Sequence, residues 1–309
     1  MNYWQFSLNT ITKLRLLQSH SVPENIEEQR LYDYLQGLFE ELPSRKSTKK
    51  AISRGEIRLN GEPTESGWWL KGGELIELFD LEVTPPKEYQ LKLNILFEDE
   101  YLAVVLKPAG LISSGNQFKT LQNALLYNLN TSEQADKLPW PLPVHRLDAP
   151  TSGLVIVAKT KSARMELGKQ FEERQIQKTY HAVVHGKIEE EGVISTPIEG
   201  KEARTTFRRL KVVRSLQNEF LSLVELHPET GRTHQLRIHL SDIGNPILGD
   251  KIYGPEKGLK NKGLFLSAIA LKLWHPATKK HLHFKTETPG KFSKRLENEN
   301  IRWNKYHSV

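Results

Sequence analysis

Val144-His145-Arg146-Leu147-Asp148-Ala149-Pro150-Thr151-Ser152-Gly153, followed at once by Leu154-Val155-Ile156-Val157, is the stretch on which the fold turns. A continuous apolar run bounded by turn residues predicts a buried strand over 154–158. Pro150 and Gly153 interrupt regular structure just before it, which puts Asp148 in a loop at the strand's entrance. A lone aspartate in such a loop is commonly a turn former. Outward from this point, residues 102–106, 179–184 and 220–226 supply further strands, and residues 162–174 and 233–243 are helical. The expected result is an α+β domain on a mixed or antiparallel central sheet.

Toward the N-terminus the pattern changes. Residues 1–28 show no clear periodicity and contain Pro23, so they read as an irregular extension. Leu31, Leu35, Leu38 and Leu42 recur at helical spacing until Pro43, and Ser44 then caps a second helix running to about Arg54. Glu56-Ile57-Arg58-Leu59 alternates polar with apolar, Asn60-Gly61 is a hairpin turn, and Gly72-Gly73 precedes a strand over 75–79. Residues 29–80 therefore form a small α/β module. Thr84-Pro85-Pro86-Lys87 can continue neither a helix nor a central strand, and residues 81–92 read as a linker to a second domain over 93–309. The second helix of the module carries Arg45, Lys46, Lys49, Lys50 and Arg54, several of which share a face that can meet successive phosphates.

The bulk properties narrow the chemistry. Lys and Arg number 44 against 37 Asp and Glu, a net charge of +7 that favours a polyanionic partner. Cysteine is absent, which removes disulfides, thiolate metal sites and cysteine nucleophiles together. No apolar run approaches the roughly 20 residues that span a bilayer, so a cytoplasmic, membrane-free protein is expected. Phosphate-loop, dinucleotide, nucleophile-elbow and zinc-helix signatures are all missing. Among the eleven histidines, neither the spacing of His234 with His239 nor that of His281 with His283 suits metal ligation, and no metal is expected.

As a string, His145-Arg146-Leu147-Asp148, two residues, then Thr151-Ser152-Gly153 resembles the hallmark of the RluA-type pseudouridine synthases. Ile95 to Leu102 and Lys107-Pro108-Ala109-Gly110-Leu111 look like that family's opening strands, and Lys178-Thr179-Tyr180-His181-Ala182-Val183-Val184-His185-Gly186 resembles its tyrosine strand. Gly231-Arg232-Thr233-His234-Gln235-Leu236-Arg237-Ile238-His239-Leu240, then Gly244-Asn245-Pro246-Ile247-Leu248-Gly249-Asp250, match its third signature, and with Leu271 to Pro276 the blocks span about residues 93–289. Ser113-Ser114 and Ser267 depart from it, standing where relatives often carry histidine. The order of features in residues 29–80 resembles the small RNA-binding domain named after ribosomal protein S-four.

The resemblance implies a cofactor-free isomerase that converts uridine to pseudouridine in a structured RNA. It casts Asp148 as the catalytic carboxylate, Arg237 as the cation that keeps it ionised, and Tyr180 as the ring that stacks on the released base. It casts Arg146 as the residue filling the space an extruded nucleotide leaves, Leu236 as part of an apolar floor, and His145 and Arg232 as further substrate contacts. Whether Asp148 attacks the sugar carbon or removes the neighbouring proton stays open. The expected partner is large-subunit ribosomal RNA first and transfer RNA second, bound by a monomer. The rival from another class is a non-catalytic RNA-binding or ribosome-assembly factor on the same fold, which a change at Asp148, Tyr180 or Arg237 would have favoured.

Overall fold

A computed structural model describes residues 11–83, 85–255 and 263–307. The chain divides into two compact units, Met1–Pro85 and Pro86–Val309.

In the first unit β1 (Ile11–Ser21) is followed by α1 (Leu31–Tyr34), α2 (Arg45–Ser53), β2 (Ile57–Leu59), β3 (Glu62–Pro63) and β4 (Leu75–Val83). The strands make an antiparallel sheet in the order β1-β4-β2-β3. Asn60 and Gly61, both at positive φ, close the β2–β3 hairpin as expected. The Ser44 side chain caps α2 as expected, accepting from the Ser47 amide, and the Ser47 hydroxyl accepts from the Ser44 amide in return. Leu31, Leu35, Ile52, Ile57, Leu70 and Ile76 fill the core.

Three expectations need correction here. Residues 11–21 are a strand rather than part of an irregular extension. Two register shifts against β4 interrupt its period of two, and Leu16 and Leu17 both stay exposed, so no alternating pattern could betray it. The leucines at helical spacing after Arg30 form only one helical turn, because the chain passes through Gly37 at φ +76° and continues as turns to Pro43. The linker is shorter than 81–92: residues 81–83 continue β4, and residues 89–93 are docked on the second unit.

That second unit contains β5 (Asn94–Glu98), β6 (Leu102–Lys107), α3 (Leu121–Asn128), β7 (Lys137–Pro143), β8 (Ser152–Thr160), α4 (Lys161–Glu172) and β9 (Gln177–His185). It continues with β10 (Glu191–Ile194), β11 (Thr205–Ser215), β12 (Glu219–Pro228), α5 (Gln235–Asp242), β13 (Leu266–Trp274), β14 (His281–Lys285) and α6 (Gly290–His307). Asn128 of α3 holds the incoming chain by accepting from the Leu93 amide and donating to the Leu91 carbonyl. Among the described residues one mixed sheet runs β10-β11-β12-β9-β13-β8-β6-β5, with β14 on β13 and β7 on β8. The α+β architecture is thus as expected, and β8–β13 is its parallel pair.

That parallel pair is short and close. A Cβ on Gly153 would lie 2.3 Å from the Ala268 carbonyl oxygen and 2.4 Å from its nitrogen, so only glycine fits, and its φ of +125° requires glycine independently. Two apolar clusters matter for the site. One gathers Val183, Leu226, Leu240 and Phe292, the other Val105, Leu121, Leu125 and Val157, and Tyr180 packs against both.

Candidate active site

Backbone contacts hold the segment that carries Asp148. The Val144 amide donates to the Ile156 carbonyl at 3.0 Å, and the His145 Nε2 accepts from the Ile156 amide at 3.0 Å. Ser113 clasps Leu147 from both sides, accepting from its amide at 3.1 Å and donating to its carbonyl at 2.9 Å. The Thr151 amide donates back to the Asp148 carbonyl, closing a turn with Pro150 inside it. Beneath lies Lys107, fully buried, whose Nζ donates to the carbonyls of Leu111 at 2.6 Å, Pro108 at 3.1 Å and Ala149 at 3.2 Å. Burial pushes this ammonium down to about 8, while the charge of Asp148 pulls the other way.

The Asp148 carboxylate itself keeps a fifth of its surface open. Its Oδ2 accepts from Arg237 Nη1 at 3.3 Å and stands 3.8 Å from His234 Nε2. Arg237 comes from α5 and is almost sealed. Its Nε and Nη2 donate to the Asp250 carboxylate at 2.7 and 2.8 Å, a bidentate pair, and its guanidinium lies 5.1 Å from the centre of the Tyr253 ring. Burial pushes the Asp250 carboxyl up, but Arg237 and the amides of Ile252 and Tyr253 outweigh it and hold the group below the usual carboxylate range. With two of its nitrogens committed to Asp250, the guanidinium presents Nη1 to Asp148.

Two cavities meet at this carboxylate, and Arg146, Leu147, Asp148, His234 and Arg237 line both. The larger, about 740 Å³, opens toward Ile112, Ser114 and Lys251. The smaller, about 330 Å³, holds Lys178, Tyr180, Arg232 and Leu236. Desolvation, reinforced by Asp148, pushes the Tyr180 hydroxyl well above its ordinary value, so at neutral pH it is a neutral O–H beside a negative group.

All seven residues singled out for catalysis or substrate contact therefore lie around one carboxylate, with different roles open to each. Arg146 is exposed at the rim. Leu236 is 7% exposed, and Arg232 donates from Nε to the Glu202 carbonyl. His145 has its Nε2 occupied by the backbone and its ring against Phe171, and burial pushes the imidazole down to about 3. It stays neutral and positions the loop. The basic residues of α2 form an exposed surface of the first unit, with Arg54 half-buried and paired to Glu56 at 3.3 Å.

Asp250, His234, Tyr253 and Lys107 went unassigned in the sequence. Asp250, His234 and Lys107 stand inside quoted motifs, so the signal was present. His234 was weighed only with His239, whose buried ring spans Thr205 and the Thr196 carbonyl instead. His234 occupies the N-cap of α5 at φ 56°, ψ 18°, a left-handed conformation that costs a non-glycine residue about 1 kcal/mol or more.

A family model described as RNA pseudouridylate synthase matches residues 101–242. The chain is 35% identical over 295 residues to an uncharacterized RNA pseudouridine synthase of Aquifex aeolicus, covering 86% of this chain and 92% of that protein. It is 34% identical over 279 residues to a ribosomal large subunit pseudouridine synthase D of Nitrosomonas europaea, covering 82% and 78%. Among solved structures, human RNA pseudouridylate synthase domain containing 1 superposes with a TM-score of 0.52 at 26% identity, over 67% of this chain and 95% of that one.

Proposed function

The chain belongs to the RNA pseudouridine synthase family, and from that premise we propose that it isomerises uridine in large-subunit ribosomal RNA with Asp148 as the reacting carboxylate. The observation that carries the proposal is the state of that side chain: partly open, at the junction of two cavities, and held by an arginine whose remaining bonds are buried. The ribosomal target is supported by relatives named ribosomal large subunit pseudouridine synthases C and D. The net charge of +7 and the exposed basic face of α2 in the first unit support binding to a large polyanion.

The reaction needs a bond broken and a bond made without net loss. The N1–C1′ bond breaks with its electron pair leaving on the uracil, and positive charge develops on the sugar, as in glycoside cleavage. Asp148 meets that charge, either by bonding to C1′ or by taking the C2′ proton. The uracil turns and C5 bonds to C1′, either as the Asp148–C1′ bond breaks or as Asp148 returns the proton to C2′; the C5 proton is then lost and N1 gains one. No second carboxylate is required, since the base returns as the nucleophile where hydrolysis would need an activated water. Tyr180 supplies a ring face for the turning base and a protonated hydroxyl near it. Arg146, on the rim, fits the space left in the RNA stack, whose opening costs a few kcal/mol.

Loss of tritium from RNA labelled at uridine C5 reads the reaction directly. Asp148→Asn is expected to abolish it while leaving RNA affinity within about twofold, and turnover near the wild-type rate would remove Asp148 from this role. Mapping pseudouridines in ribosomal and transfer RNA of cells with and without the gene identifies the target. A change confined to transfer RNA would overturn the ribosomal assignment.

A further inference from the structure

Around Asp148 the contacts are one-sided. Among the described residues, both Arg237 Nη1 at 3.3 Å and His234 Nε2 at 3.8 Å address Oδ2, and neither addresses Oδ1. His234 sits where an N-cap side chain ordinarily bonds the helix amides, yet it makes no such bond. Its Nδ1 instead lies 3.0 Å from the Tyr253 hydroxyl, and the two rings meet edge to face at 5.7 Å. The left-handed backbone at His234 is thus accompanied by a ring engaged with a tyrosine on one side and turned toward a carboxylate on the other.

For the neutral ring the position of the proton follows by elimination. Were it on Nδ1, the tyrosine oxygen would accept it, and the lone pair of Nε2 would face the lone pairs of a carboxylate. Were the Tyr253 hydroxyl to donate to Nδ1, the Nε2–H would point at Asp148 Oδ2 and the electrostatics would be favourable at both ends. Resting on the assignment of Asp148 made above, we propose that Tyr253 holds His234 in the Nε2–H form and that His234 is a positioning residue for the reaction. It closes on Oδ2 opposite Arg237, stops the carboxylate from turning, and leaves Oδ1 to meet the sugar. The gain is one of orientation, expressed in the chemical step more than in RNA affinity.

Side-chain amides separate the two nitrogens, because asparagine places a polar atom near the Nδ1 position and glutamine places an N–H near Nε2. His234→Asn and Tyr253→Phe should each lower kcat about tenfold with KM changed less than twofold. His234→Gln should stay within about threefold of the wild type, and adding Tyr253→Phe to it should change little, since no tautomer remains to be fixed. In ¹⁵N-histidine-labelled protein, the ring resonances lost on His234→Gln should have the shifts of an Nε2–H imidazole in the wild type and move toward a mixture in Tyr253→Phe. Equal activity of the asparagine and glutamine variants, or an Nδ1–H signature, would overturn the proposal. The assignment of Asp148 is judged separately: an inactive Asp148→Asn with a fully active His234→Asn sinks only the role of the histidine, whereas an active Asp148→Asn sinks both.

Discussion

Two aspartates share Arg237, and replacing each by asparagine should produce opposite profiles. Asp250 is completely buried, accepts two bonds from the guanidinium at 2.7 and 2.8 Å, and takes two backbone amides at 2.9 and 3.1 Å. Asp250→Asn leaves the arginine 4% exposed without a bidentate partner and turns an acceptor into a donor facing it. Breaking a buried pair in this way costs about 3–5 kcal/mol. Asp148 makes one 3.3 Å bond and is a fifth exposed. The gross attraction at that distance is about 5 kcal/mol at an effective dielectric of 20, but desolvation and screening leave about 0–1 kcal/mol net, and Arg237 keeps Asp250 when Asp148 is neutralised. With a urea slope of about 2–3 kcal/mol/M, Asp250→Asn should lower the midpoint by about 1–2 M and Asp148→Asn by under about 0.5 M. Activity should run the other way, with Asp148→Asn inactive and Asp250→Asn retaining a measurable part. The Asp250 carboxyl is held low in the fold, so its stabilisation is present above the ordinary value near 3.8 and is lost as pH falls through the lower native one. The wild-type advantage over Asp250→Asn should therefore shrink below about pH 4. An equal loss of stability in the two variants would mean that Asp148 is a structural counter-ion, and the reasoning would fail.

Gly153→Ala should prevent folding or lower stability by more than about 4 kcal/mol in thermal melts, because its Cβ would overlap the Ala268 backbone at 2.3 Å; a melt within a few degrees of wild type would refute the close approach. For Lys107, burial lowers the native value to about 8, so between there and its ordinary 10.5 the unfolded chain binds more protons and stability rises with pH. The wild type should gain about 3 kcal/mol relative to Lys107→Met across that window, and a flat difference would show that the ammonium is solvated. Removing charge at Arg45, Lys46 and Lys49 should weaken RNA binding and reduce the salt slope by about 2, measured by titration at several salt concentrations; an unchanged slope would make the first unit a structural appendage.

Four strands of the second unit, β6, β8, β9 and β12, were readable from their apolar residues: a run such as Leu154 to Val157 has one economical place in a fold. β1 was hidden for the opposite reason, since neither of its faces is continuously buried and bulges break its alternation. The one-turn helix α1 shows a different limit. Its leucines do reach the core, but Gly37 lets turns deliver them there, so spacing alone could not separate a helix from a coiled path. At the site, Asp148 and Arg237 were visible as a motif, whereas the reason Arg237 is fixed was not. Asp250 lies thirteen positions beyond it in a loop, and a fully buried aspartate is the exception that sequence statistics discount.

The unassigned groups explain how an aspartate in an open groove stays aimed. A single arginine facing Asp148 would be free to swing toward solvent or toward an incoming phosphate. Asp250 removes that freedom by occupying Nε and Nη2, so the third nitrogen can serve only the groove. Two carboxylates around one guanidinium would leave a net negative charge in a poorly solvated region, and Lys107 restores the balance from below, where its ammonium interacts with the charge of Asp148. Lys107 also ties the Ala149 carbonyl to the Pro108 and Leu111 carbonyls, so charge balance and loop geometry depend on the same atom. An arrangement near neutrality before the reaction need not reorganise when positive charge develops on a sugar at Oδ1, which is the condition under which fixed charges lower a barrier most.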